Sequence, residues 1–118
     1  MAYQPNIILI LTDHFRPDAV GTSTPTLLSL AKKGIEFANA YCASPLCQHA
    51  RASIITGKFP SQHGICGNQA DPIHPDLRAT TFMRNLQELG YYTALIGKHH
   101  FLDRFGLGMD VTADDEQI

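Results

Sequence analysis

The sequence has few cysteines, no long apolar run and little excess charge. Its three cysteines among 118 residues are an odd number without metal-ligand spacing, which argues against a disulfide framework and for a reducing compartment. The longest apolar run, residues 7–11, is far too short to span a bilayer. The net charge of −2 gives no attraction to nucleic acid or an anionic membrane. Residues 1–5 lack the features of a signal peptide, so we expect a cytoplasmic protein.

Strand and helix patterns alternate along the chain. Residues 6–12 contain the continuous apolar run 7–11 and are predicted to be a buried parallel strand, and residues 35–41 and 91–96 are also predicted to be strands. The sequence further predicts three helices, over residues 24–34, 48–56 and 78–89. It also predicts a long loop over residues 58–76 and a weakly structured polar tail over residues 102–118. This alternation indicates an α/β fold with a mainly parallel sheet flanked by helices, where ligands bind at the carboxyl ends of strands.

Ionisable residues follow the first and last predicted strands. A carboxylate at Asp13 can hold a hard divalent cation or cap the next turn, and His14 can be a ligand or a surface side chain. Lys98 and His100 are two residues apart and therefore share a face of an extended strand end. Together they suit an anionic oxyacid, with a solvated strand end as the simpler alternative.

Cys47 opens a predicted helix, where a thiol experiences the positive end of the helix dipole. Arg51 follows one turn later on the same face and supplies a cation. This arrangement favours a thiolate or a bound anion, whereas the alternative is a small buried apolar residue. For Cys42 and Cys66 we expect that second, structural role.

The remaining histidines carry weaker signals. His63 lies in a loop rich in glycine and proline, and we expect it to order that loop through hydrogen bonds rather than to catalyse. We expect His49, His74 and His99 to be surface residues.

Five segments, in chain order and with sensible spacing, resemble the sulfatase family of the alkaline phosphatase superfamily. They are residues 5–13, 16–21, 24–41, 47–57 and 97–101. The resemblance implies that residues 1–118 are the N-terminal part of a sulfatase-like catalytic domain with a partial alkaline-phosphatase-like fold. Because family enzymes are several times longer, we expect a truncated domain whose isolated chain is inactive.

The resemblance also implies catalytic roles. Cys47 matches the residue that sulfatases oxidise to formylglycine, whose hydrated aldehyde attacks the sulfur of a sulfate ester. Arg51 matches the arginine that steadies this nucleophile. Lys98 and His100 match the pair that contacts the nucleophile and the sulfate oxygens. The implied activity is that of a sulfuric ester hydrolase.

The implied metal site is incomplete. Asp13 matches a ligand of the family's divalent cation, usually Ca²⁺, which acts as Lewis acid and template. His14 stands where many members have a second acid. The family's other ligands lie far downstream, and the acids after residue 101 (Asp110, Asp114 and Asp115) lack the required context.

One residue departs from the family's maturation signature, and this departure allows alternative functions. His49 stands where the maturation signature has Pro or Ala, so Cys47 can remain a thiol, as in phosphonate monoester and phosphodiester hydrolases that use Mn²⁺ or Zn²⁺. A third interpretation is a non-catalytic remnant of the enzyme that acts through assembly with another chain. We expect a small sulfated or phosphorylated substrate, no nucleic-acid or membrane partner, and homo-oligomers formed through exposed sheet edges.

Overall fold

A computed structural model describes residues 4–65, 67, 80–98, 100, 108 and 110–113. The chain divides into two units, unit 1 (Met1–Ala40) and unit 2 (Tyr41–Ile118). The described residues form four α-helices and two short strands: α1 (Pro25–Lys33), α2 (Cys47–Thr56), α3 (Pro60–His63), α4 (Phe82–Glu88), β1 (Ala94–Ile96) and β2 (Val111–Ala113). Among these residues, every helix is too short or too polar to cross a membrane.

Unit 1 contains α1 and a preceding 3-10 turn, Pro17–Ala19. The predicted helix over residues 24–34 is confirmed as α1; Thr24 precedes it and Pro25 occupies its first turn, where the missing N–H is no loss. The Thr24 hydroxyl accepts a hydrogen bond from the Gly21 N–H at 2.9 Å. It therefore closes the turn before the helix rather than capping the helix itself.

The predicted strands over residues 6–12 and 35–41 are wrong, because neither segment is a strand in the structure. Ile8 is 82% exposed, Ile10 76% and Phe37 77%. A strand forms only when a neighbouring strand pairs with its backbone N–H and C=O groups. Within the described residues neither segment has such a partner, so apolar character alone does not produce the sheet.

The predicted helix over residues 48–56 is confirmed as α2. It ends at Gly57, whose φ of 68° is left-handed and whose N–H donates to the Ser53 carbonyl at 2.8 Å, a glycine C-cap. Helix α2 packs against α3 and α4. The buried core of unit 2 consists of Ala52, Ile55, Ile65 and Met83, with Phe82 and Leu95 packed against it.

Helices α3 and α4 each begin with a hydrogen bond to a polar side chain. Helix α3 lies inside the predicted loop, and the Gln62 side-chain oxygen accepts from the Phe59 N–H at 3.0 Å where it begins. Helix α4 begins after the buried Thr81, whose hydroxyl accepts from the Arg84 N–H at 3.4 Å, as expected for an N-cap threonine. This helix lies within the predicted range, residues 78–89, of which 78 and 79 fall outside the described residues.

Strands β1 and β2 pair in parallel, with Ala94 opposite Val111, Leu95 opposite Thr112 and Ile96 opposite Ala113. The predicted strand over residues 91–96 is thus confirmed in its second half. The polar tail after residue 101 was not expected to contain a strand, so β2 corrects that prediction. A three-residue strand is too short to show a period in the sequence.

Contacts of Thr93 hold the segment before β2 against the start of β1. The Thr93 N–H donates to Asp110 Oδ2 at 2.6 Å, and the Thr93 hydroxyl donates to the Gly108 carbonyl at 2.8 Å. Hydrogen bonds from the Thr93 backbone N–H and the Gln87 side chain lower the pKa of Asp110. The remaining tail acids, Asp114 and Asp115, lie outside the described residues.

Candidate functional site

Cys47 is the first residue of α2, and its side chain is half-buried. Its position at the helix start places it at the positive end of the helix dipole. Arg51 is one turn further along α2, on the same face of the helix. The local arrangement predicted for this pair is present in unit 2.

Arg51 also contacts the segment that follows β1. Its Nη1 donates a hydrogen bond to the main-chain carbonyl of Lys98 at 2.6 Å. Gly97, just before Lys98, has a left-handed φ of 86°, which a residue with a side chain rarely adopts. The structure therefore brings together two segments that lie 47 residues apart in the sequence, the helix of Cys47 and the strand end of Lys98.

His100 is strained and has an unsatisfied ring atom. Its φ is 67°, a left-handed value that is uncommon for residues other than glycine. Its Nδ1 is buried and has no hydrogen-bond partner among the described residues. Backbone strain and orphaned polar atoms concentrate at functional positions in proteins. The intervening residue, His99, lies outside the described residues.

Asp13 and His14 lie together in unit 1. Nε2 of His14 is 4.0 Å from Oδ2 of Asp13, and the two side chains are 82% and 40% exposed, histidine first. The carboxylate suits a hard cation such as Ca²⁺, whereas an imidazole nitrogen suits Zn²⁺ better. Asp13 therefore fits a Ca²⁺ site as one ligand, and His14 does not fit it.

Two expectations about side-chain burial are wrong. His49 was expected on the surface but is only 6% exposed, because its position two residues after Cys47 turns it about 200° around α2. Cys42 was expected to be buried but is exposed, since it lies in an irregular segment before α2. Cys66 and His74 lie outside the described residues.

His63 is 1% exposed, and its ring contacts two groups in unit 2. Its Nε2 is 3.1 Å from the Ser53 hydroxyl, and its Nδ1 accepts from the Ile65 N–H at 3.2 Å. The structure agrees with the predicted loop-ordering role. Burial, and then the charge of His49, lower the pKa of His63. The part played by Ser53 was missed, because a serine within a helix gives no signal of a distant partner.

Comparison with known proteins identifies the family. The sequence model of the Sulfatase family matches residues 5–111. The choline-sulfatase of Rhizobium meliloti (strain 1021) is 38% identical over 105 residues, which cover 84% of this chain and 20% of that protein.

The chain belongs to the sulfatase family.

Other relatives of this sulfatase-family chain agree. The arylsulfatase of Clostridium perfringens (strain 13 / Type A) is 38% identical over 103 residues, which cover 82% of the chain and 21% of that protein. The structure of BT4656 in complex with its substrate D-glucosamine-2-N,6-O-disulfate matches with a TM-score of 0.66 and 39% identity, over 74% of this chain and 17% of that one. The chain spans about a fifth of the length of the curated relatives it matches.

This result confirms the family predicted from the sequence motifs. The α/β class is likewise supported by the structural neighbour. Of the expected sheet, the described residues contain the parallel pair β1–β2.

Proposed function

We propose that this chain contributes the nucleophile and part of the anion-binding site of a sulfuric ester hydrolase. The main observation that supports this proposal is the 2.6 Å hydrogen bond from Arg51 to the Lys98 carbonyl. The family of the chain and its named relatives, which are sulfatases, add to that support. This bond links the helix of Cys47 to the segment of Lys98 and His100. Because BT4656 binds a disulfated glucosamine, small sulfated sugars are the first substrate class to test.

Each residue in this arrangement has chemistry suited to a sulfate ester. We propose that a separate maturing enzyme oxidises Cys47 to formylglycine, and that water adds to this aldehyde to form a hydrate. One hydroxyl of the hydrate supplies the nucleophilic oxygen, whose negative charge the start of α2 stabilises. The Arg51 guanidinium adds positive charge on the same helix face. The Lys98 ammonium would bind a sulfate oxygen, and the His100 imidazole would hand a proton to the departing alcohol.

The proposal includes a divalent cation with Asp13 as one of its ligands. When bound, the cation would neutralise charge on the sulfate group. Ca²⁺ takes about six to eight oxygen ligands, so Asp13 alone is insufficient and further oxygen donors are needed. Since the chain spans 20% and 21% of two sulfatase relatives, we propose that residues 1–118 are one part of a larger catalytic domain with a mainly parallel sheet flanked by helices.

A second function is favoured by one observation. His49 occupies the position where the maturation signature has Pro or Ala, and its side chain is buried in α2 rather than displayed beside Cys47. If the maturing enzyme does not accept this signature, Cys47 stays a thiol. The chain would then belong to a phosphonate monoester or phosphodiester hydrolase.

The chemical state of Cys47 separates these functions. Mass spectrometry of the peptides containing Cys47 and Cys42 compares two thiols of one chain, and we expect the aldehyde at Cys47 alone. An unmodified Cys47 together with turnover of a phosphonate monoester or a phosphodiester would replace the sulfatase proposal with the second function.

Activity assays then test the residues. In a protein that carries residues 1–118 within the larger catalytic domain proposed above, we expect aryl sulfate turnover to be abolished by Cys47→Ala and unaffected by Cys42→Ala. Arg51→Leu should lower kcat by about 10²–10³, the usual cost of losing one group that stabilises developing charge. Absence of turnover by that larger protein with sulfate, phosphonate and phosphodiester substrates, with and without Ca²⁺, Mn²⁺ or Zn²⁺, would contradict the proposed hydrolase activity.

A further inference from the structure

The contacts of His63 define the position of its ring proton. A backbone N–H can only donate, so the 3.2 Å contact from the Ile65 N–H requires an unprotonated Nδ1. In the neutral ring the proton is then on Nε2, which donates to the Ser53 hydroxyl oxygen at 3.1 Å. A histidine that activates a serine must instead accept the serine proton at an unprotonated nitrogen. Ser53 and His63 therefore do not form a nucleophilic pair.

The same two bonds tie three parts of unit 2 together. Ser53 lies on α2, His63 ends α3, and Ile65 is a core residue that is 2% exposed. Release of the His63 ring would loosen the Ile65 backbone and expose its side chain, which opposes the release. The bonds hold the segment after α3 on the helix that carries Cys47 and Arg51.

We propose that neutral His63, protonated at Nε2, is a positioning residue that holds the Ile65 backbone next to α2, and that protonation of its Nδ1 releases that backbone. In this step a proton from solvent occupies the Nδ1 lone pair. The Ile65 N–H then faces a second N–H and loses its acceptor, while the Nε2–H bond to Ser53 is retained. The inference does not depend on the proposed hydrolase activity.

The charges around His63 favour its neutral form. Ionisable side chains on α2, on the connection to α3 and on α4, which packs against α2, are Cys47, His49, Arg51, Lys58, Arg84 and Glu88. Of these, His49 is the residue whose charge lowers the pKa of His63, in addition to burial. Because the pKa is lowered in the folded chain, unfolding takes up a proton. The stabilisation is complete above about pH 6.5 and falls as the pH decreases from there.

Two NMR measurements on the 118-residue chain test the proposal. Long-range ¹H–¹⁵N correlation should show the Nε2–H tautomer for His63 at neutral pH. Amide exchange at Ile65, corrected for its intrinsic rate, should show an opening constant that rises by up to about tenfold per pH unit below about pH 6.5. An Nδ1–H tautomer at neutral pH would overturn the proposal.

Variants separate positioning from simple packing. His63→Asn keeps an acceptor near Nδ1 and cannot titrate, so exchange at Ile65 should lose its pH dependence. His49→Gln should raise the pH at which the increase in opening levels off, because it removes a charge that lowers the pKa of His63 in the folded chain. Ser53→Ala should weaken the protection of the Ile65 amide from exchange. The control Ser61→Ala, at an exposed serine of α3, should leave that protection unchanged.

Unchanged pH dependence in His63→Asn would also overturn the proposal. If that variant does not fold, the tautomer of the unmodified chain and the shift in His49→Gln decide the question.

Discussion

The two units of the chain differ in what covers their apolar side chains. In unit 1 none of residues 4–40 is fully buried, although this unit contains the longest apolar run of the sequence. In unit 2 Ile65 and Met83 are 2% and 7% exposed within a core built on α2 and α4. Their hydrophobicity is similar, so the difference lies in packing partners. An apolar run indicates burial only where another element lies against it.

The largest test of this comparison removes one isoleucine from each unit. Ile65→Ala deletes a side chain from the core and should lower the free energy of unfolding by about 3 kcal/mol. Ile8→Ala, at a position 82% exposed, should change it by less than about 0.5 kcal/mol. Urea denaturation of both variants measures the difference. Equal losses would show that residues 6–12 are buried in solution.

A glycine pair gives the next largest contrast. Gly108 has a φ of 85°, and a Cβ there would lie 2.7 Å from the Arg84 backbone nitrogen, whereas a Cβ at Gly21 would meet nothing within 4 Å. Gly108→Ala should therefore cost roughly 1–3 kcal/mol through strain and overlap, and Gly21→Ala almost nothing. Thermal unfolding checks both, and a stable Gly108→Ala variant would argue against the close approach of this glycine to α4.

A threonine pair compares buried and exposed hydroxyls. Thr93 is 8% exposed and donates to the Gly108 carbonyl, so Thr93→Val leaves that acceptor unsatisfied and should cost about 1–2 kcal/mol. Thr26→Val changes an exposed position of α1 and serves as the matched control. The comparison fails if the two variants have the same urea midpoint.

The smallest expected effects concern two aspartates. Hydrogen bonds from Thr93 and Gln87 lower the pKa of Asp110, and the bond from Arg16 lowers that of Asp18. A lowered pKa adds stability above the unfolded value of about 3.9, and this stability is lost as the pH falls through the folded value. Asp110→Asn should reduce the dependence of the free energy of unfolding on pH in the acid range. Asp18→Asn should lower the free energy of unfolding only at low salt, because the ion pair of Asp18 with Arg16 is exposed.

Local signals predicted α1, α2 and α4 and the Cys47–Arg51 pair. Thr24 with Pro25 marks the start of α1, and Gly57 marks the end of α2. These signals work because capping and helical periodicity depend on residues within one turn of each other. The four-residue spacing of Cys47 and Arg51 is of the same kind.

Contacts between distant residues were not predictable. The bond from Arg51 to the Lys98 carbonyl, the pairing of β2 with β1 and the link from Ser53 to His63 each join segments whose spacing follows no local period. His49 shows the same limit, because polarity predicted exposure and helix packing produced burial.

The ordered motifs along the chain determined its family and the identity of the candidate residues. The tertiary structure decided which of those residues meet, which tautomer His63 adopts and which apolar segments are covered. The physical reason is that helix starts and ends are stabilised by neighbours in sequence. Strand pairing, burial and hydrogen bonds between side chains are stabilised by whichever distant segments pack against them.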